Sequence, residues 1–165
     1  MKRATEVKWG LIFVGVLLLW MALERLAGLH GPRIEQHATW TSLFAIPAIV
    51  VYVLALREKR DRDLGGTMTF GQGFVSGFVV TVVVTVLSPV SQWLIHTVIT
   101  PDFFANAIEA SDRLGMSSRA EAEAYFNLGN YIRVGVMGTL AMGVATSAVV
   151  AFFVRRTDTR ETGAG

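Results

Sequence analysis

The chain has 165 residues and a mass of 18.0 kDa, with 52% hydrophobic residues, 17% charged residues and a mean hydropathy of +0.48. A soluble domain carries roughly 25% charged residues, and the apolar excess here is gathered in runs too long for a core of this size to bury, which excludes a soluble globular domain and a disordered chain. A net charge of +2 and the absence of cysteine give no reason to expect nucleic-acid binding and exclude disulfides, thiolate metal sites and a cysteine nucleophile.

A bilayer core about 30 Å thick needs about 20 helical residues. The first such run covers about residues 9–27, WGLIFVGVLLLWMALERLA. Lys2, Arg3 and Lys8 give it a basic start, but Glu24 and Arg25 stand where a cleaved signal would need small residues, so a retained helix is expected. Both are expected to reach the headgroup level. Residues 28–37 are a turn-rich connection to a second span at about 38–56. The next loop, REKRDRD at 57–63, mixes four basic with three acidic residues and ends in Gly65 and Gly66. Its interleaved signs favour a solvated loop over an anionic-lipid contact.

The third span is long, about 70–99. Residues 100–130 follow as the only sizeable segment between spans. Pro101 suits a helix start, Phe104, Ile108 and Leu114 share roughly one side, and Gly115 ends the helix. Ser118 and Glu121 then form a capping box for a second short helix. A helical hairpin packed as a cap on its own bundle is the expectation. The fourth span covers about 132–154, and a tail at 155–165 closes the chain. The fold class is therefore all-α, a four-span membrane bundle in one domain over 1–165.

Counting Lys and Arg at span ends orients it. Ten of the 15 lie on the side of the termini: Lys2, Arg3, Lys8, Arg57, Lys59, Arg60, Arg62, Arg155, Arg156 and Arg160. Arg25, Arg33, Arg113, Arg119 and Arg133 lie on the other. The termini are expected in the cytoplasm, as an even number of spans also requires. Trp9 fits one interface, and Trp20, Trp40 and Trp93 the other.

The segment TMTFGQGFVSGF before the long span, then VITPDFF, then the Gly-Met-Ser-Ser break and the closing FFVRR resemble a family of uncharacterised bacterial membrane proteins, domain of unknown function 4199. The matching positions are Phe70, Gly71, Gly73, Phe74, Pro101, Phe103, Gly115, Arg155 and Arg156. The resemblance covers most of the chain, best from about Tyr52 onward. It implies a four-span chain with an acidic helical loop and carries no established activity. Late in the third span the family tends to be Tyr-rich, where this chain has Trp93 and His96.

The third span carries the most information. Gly73, Gly77, Thr81, Thr85, Ser88, Gln92 and His96 recur at three- and four-residue steps, which places them on one helical face. A Gly-x-x-x-Gly pair permits close backbone approach, and hydroxyls beyond it bond to a neighbouring helix. A helix–helix seam is the preferred reading, within the bundle or between copies; a polar pathway or ligand cleft is the other. Pro89 predicts a kink or hinge near the middle. In the fourth span Gly135, Gly138, Ala141, Gly143, Ala145 and Ser147 supply a small-residue packing face.

His30, His37 and His96 all fall on one predicted side, near Glu35 and Asp102. No pair has H-x-x-x-H spacing, so no metal and no cofactor is expected. Ser88, His96 and Asp102 could be imagined as a scattered catalytic set, but hydrolase, metalloprotease and phosphate-loop signatures are missing, and no enzyme is expected. The sequence points to a non-catalytic bacterial inner-membrane protein acting through association with itself or another membrane protein. The alternative is transport or binding of a small solute or lipid along the third span.

Overall fold

The computed structural model describes residues 3–157; Lys2, Arg160 and the tail from 158 onward lie outside the described residues. Four helical stretches are long and apolar enough to cross a membrane: Ala4–Leu26, Ile34–Asp63, Phe70–Ile99 and Leu128–Val154. The first is α1. The second is a composite of a 3-10 turn, α2 (His37–Ser42), α3 (Ala45–Glu58) and a π-helical turn at Lys59–Asp63. The third is α4 (Phe70–Leu94) with a second π turn at Ile95–Ile99. The fourth is α7, Leu128–Val154. Between the last two lie α5 (Phe103–Arg113) and α6 (Arg119–Tyr125). The described residues contain no strand, only one antiparallel bridge between Met68 and Arg156. Outward-facing apolar side chains such as Leu19, Val86 and Phe153 are 61, 70 and 78% exposed, as a lipid-facing surface requires.

The second span departs from the single helix expected. It breaks at Leu43 and Phe44 because Pro47 has no N–H to return to the Leu43 carbonyl, which instead accepts from Ile46 at 3.0 Å. Pro89, where the kink was expected, lies inside a continuous α-helical segment, and α4 changes character only at the π turn that starts at Ile95.

The central pair is α4 and α7. Their packing is close because small residues face each other: a Cβ added to Gly77 would lie 2.7 Å from Ser147 Oγ and 3.1 Å from Ser147 Cα. Helix α1 crosses α4 at Gly10, where a Cβ would lie 2.5 Å from Val83. Tyr52 of α3 bonds to Thr81 at 2.8 Å, and Thr81 lies 3.3 Å from the Ser147 hydroxyl, so one buried knot joins three helices. The apolar core around it contains Leu56, Met68, Val80, Val84, Val150, Ala151 and Val154.

Two ends of the bundle differ in chemistry. At the basic end, Met68 and Arg156 exchange both backbone hydrogen bonds, at 2.8 and 2.9 Å, and tie the entry of α4 to the exit of α7. Thr69 and Gln72 cap α4 reciprocally. Here too Lys59, 1% exposed, pairs with Glu6 at 3.1 Å and Asp63 at 2.9 Å, and Ser76 donates to Glu6. At the opposite, histidine end, α5 docks on the α1–α2 connection through Asn106 to the His30 carbonyl and Arg113 to Glu35, both at 2.8 Å. Gly115 adopts φ +63 between α5 and α6. Ser118 caps α6, and its hydroxyl and N–H hold the Glu121 carboxyl below the usual carboxylate range. The buried side of α5 is Phe103, Ala107, Ala110 and Ser111; Leu114, expected on that side, is 49% exposed because it lies at the C-cap.

Candidate functional site

The histidine end holds a cluster that no local spacing announces. Glu24 comes from the last turn of α1, His30 from the following loop and His37 from the first residue of α2. Glu24 is 4% exposed. His30 Nε2 is 3.0 Å and His37 Nδ1 3.4 Å from Glu24 Oε2. The Thr41 hydroxyl lies 2.8 Å from both carboxylate oxygens, and Trp20 donates its indole N–H to Oε1 at 2.5 Å. One ligand atom from each of Glu24, His30 and His37 fits within 4.8 Å of the others, so the three could hold a metal ion.

Protein surrounds Glu24 because the chain folds back over it. Gly28 takes φ +78, and the loop brings His30 down onto the helix end. Arg25 points the other way and donates to the Ile99 carbonyl. Arg133 is exposed and bonds to Asn130. Among the described residues, no Lys or Arg pairs with Glu24. Glu35 and Asp102, the acids nearest the histidines in sequence, are not in the cluster: Glu35 binds Arg113 and Asp102 is exposed.

His96 sits apart in an aromatic cage. Its ring stacks on Phe104 at 4.3 Å and meets Tyr131 at 5.1 Å. Phe103 lies between it and the cluster, 5.2 Å from His96, 5.4 Å from His30 and 5.0 Å from His37. Its Nδ1 is buried without a hydrogen-bond partner. Ser88 lies eight residues back along the span, about 12 Å by helical rise, so Ser88, His96 and Asp102 do not converge.

A lateral groove opens between α1, α3, α4 and α7, with a volume of about 380 Å³. Its inner reach, near mid-span, is bounded by Phe13, Tyr52, Val84 and Thr146. Its polar groups gather toward the histidine end: Ser88, Ser91, Gln92, Thr139 and Thr41. Thr41 is therefore shared, lining the groove and touching Glu24.

The polar face expected on the third span divides in three. Gly73, Gly77 and Thr81 pack against α7, with Ala151 and Ser147 opposite the glycines. Ser88 and Gln92 line the groove, while the buried Thr85 hydroxyl has no partner. His96 belongs to the cage. The fourth-span face also divides. Gly143 and Ser147 face α4, and a Cβ at Gly135 would meet the Gln92 amide at 2.9 Å. Gly138 faces the groove with nothing within 4 Å of an added Cβ. Ala141 and Ala145 are exposed, so α4 does not bury both small-residue sets as expected, and a contact between copies through the second set stays open. They sit two residues from Gly143 and Ser147, about 200° around the helix, and cannot share that face.

Glu24 and Thr41 were not among the residues singled out for a site. The spacing that could have found them is His37-x-x-x-Thr41, one turn of α2, facing the last turn of α1 across a ten-residue connection.

No curated protein and no solved structure matches this chain. A family model described as protein of unknown function (DUF4199) matches residues 8–156, nearly the whole described chain. With four apolar helices in the order the sequence patterns require, the chain belongs to the family of proteins of unknown function DUF4199.

Proposed function

We propose that this protein is a non-catalytic, multi-pass protein of the bacterial inner membrane that binds one amphipathic, lipid-like molecule in the lateral groove. The observation that carries the reading is the graded lining. Phe13, Val84 and the Tyr52 ring, with Thr146, bound the mid-span reach, and most of the hydroxyls and the Gln92 amide gather at the histidine end. A volume of about 380 Å³ falls within the roughly 300–1,000 Å³ of small-molecule sites. An acyl or isoprenoid chain would lie toward Tyr52 and Val84, with its polar group at Ser91, Gln92 and Thr41. Both termini face the cytoplasm in this reading, supported by the excess of Lys and Arg at their end.

The test is native mass spectrometry of the protein released from nanodiscs of mixed lipid. One retained adduct of lipid-like mass is expected, and Gln92→Leu with Thr41→Val should weaken its retention. A protein released without any adduct at low activation would refute the reading.

A second reading is association in the membrane with a copy or another protein. It is favoured by Ala141 and Ala145, which form an exposed small-x-x-x-small pair on the far side of α7. The same spectra separate the two: association gives a discrete oligomer that Ala141→Leu converts to monomer.

A further inference from the structure

We propose that Glu24, His30 and His37 form a binding site for a divalent transition-metal ion of the zinc class. The donor geometry supports this. Two ligand atoms each about 2.0–2.1 Å from a tetrahedral centre stand roughly 3.3 Å apart. The His30–Glu24 and His37–Glu24 separations are 3.0 and 3.4 Å, so two edges of such a tetrahedron are already set. Two imidazoles and one carboxylate suit zinc and its neighbours, and suit calcium or magnesium poorly.

Charge supplies an independent argument. Glu24 is a carboxylate 4% exposed, at the end of a membrane-spanning helix. A buried charge needs a partner. Its basic neighbours are two imidazoles, His30 itself being 5% exposed, and no Lys or Arg among the described residues reaches it. A cation between the three donors neutralises the carboxylate and uses imidazole lone pairs.

Around the carboxylate the surroundings resemble a metal shell, whereas His30 Nδ1 is buried without a hydrogen-bond partner. Trp20 and Thr41 bond to the Glu24 carboxylate and fix its orientation, the role that outer-shell donors play around metal ligands. A crevice of about 160 Å³ bounded by Arg25, Gly28, Pro32, Thr100 and Asn106 reaches His30, though not Glu24 or His37. Three protein ligands would leave a fourth position for water or another donor.

The test uses the full chain, purified with a histidine-free tag in detergent, stripped with chelator and titrated with Co²⁺. One equivalent should bind and develop ligand-field absorption of tetrahedral intensity, which Zn²⁺ then bleaches by displacement. Glu24→Gln and His30→Gln should abolish the bands. His37→Gln alters the most exposed ligand and serves if the buried variants fail to fold. Trp20→Phe should retain the bands but weaken affinity about 10- to 100-fold. Wild-type protein without saturable bands would overturn the proposal, leaving a hydrogen-bonded His–Glu–His cluster. Bands that persist unchanged in His37→Gln and Glu24→Gln would also overturn it.

Discussion

Gly77→Ala measures how tightly α4 and α7 are closed. The new methyl would stand 2.7 Å from Ser147 Oγ, 2.8 Å from its Cβ and 3.1 Å from its Cα. Carbon atoms in good contact lie about 3.5–4.0 Å apart, so the helices must part by roughly 0.7–1 Å. Ser147 cannot swing clear, because backbone is in the way and its hydroxyl is held on the Gly143 carbonyl at 2.6 Å. Parting lengthens the Thr81–Ser147 contact beyond its present 3.3 Å. Overpacking costs about 1–3 kcal/mol, and a lost interhelical bond about 0.6 kcal/mol. Better helix propensity returns up to about 1 kcal/mol. The net expectation is a loss of about 1–3 kcal/mol, read by tryptophan fluorescence during denaturant titration in mixed micelles. Gly71→Ala is the control: it makes the same change where nothing lies within 4 Å, and should be neutral or slightly stabilising. Equal stability of the two variants would refute the seam geometry.

Other perturbations probe separate parts. Lys59→Met should destabilise by up to about 3–5 kcal/mol because it leaves the buried Glu6 with only the partly exposed Arg3, at 3.3 Å, and the Ser76 hydroxyl; adding Glu6→Gln should recover much of that loss in a double-mutant cycle. Thr85→Val should leave stability unchanged or raised by about 1–3 kcal/mol, since it removes a buried hydroxyl without a partner; thermal unfolding reads this. Ser118→Ala should cost about 1 kcal/mol of local stability at α6, seen as faster amide exchange there. The Glu121 carboxyl is held low in the folded state, so its contribution is full at neutral pH and is lost on acidification through the carboxylate range.

The four spans were legible because hydropathy runs report burial in lipid directly. The Ser118–Glu121 and Gly115 signals were legible because capping is local chemistry. Register between helices was not. Ala141 and Ala145 differ from Gly143 and Ser147 only by a two-residue offset, and composition does not say which pair meets α4. The break at Leu43 follows from Pro47, whereas Pro89 sits within continuous helix. The Glu24 cluster was hidden most deeply. Its members come from three segments, and only the fold of the 28–36 connection, pinned by Asn106 and Arg113 of α5, brings them together. Lys59 was hidden in the same way, in a loop that reads as solvated, and its partner Glu6 carries no sequence signal of its own.

The most direct test of the groove is to fill it. Gly138 lines it and has nothing within 4 Å of an added Cβ, so Gly138→Phe places a ring in the ligand's space without disturbing the α4–α7 seam. Native mass spectra from lipid nanodiscs should show one lipid-like adduct on the wild type and none on Gly138→Phe, with both proteins equally stable. An adduct that survives the filled groove, or a wild type that carries none, would contradict a ligand-binding role.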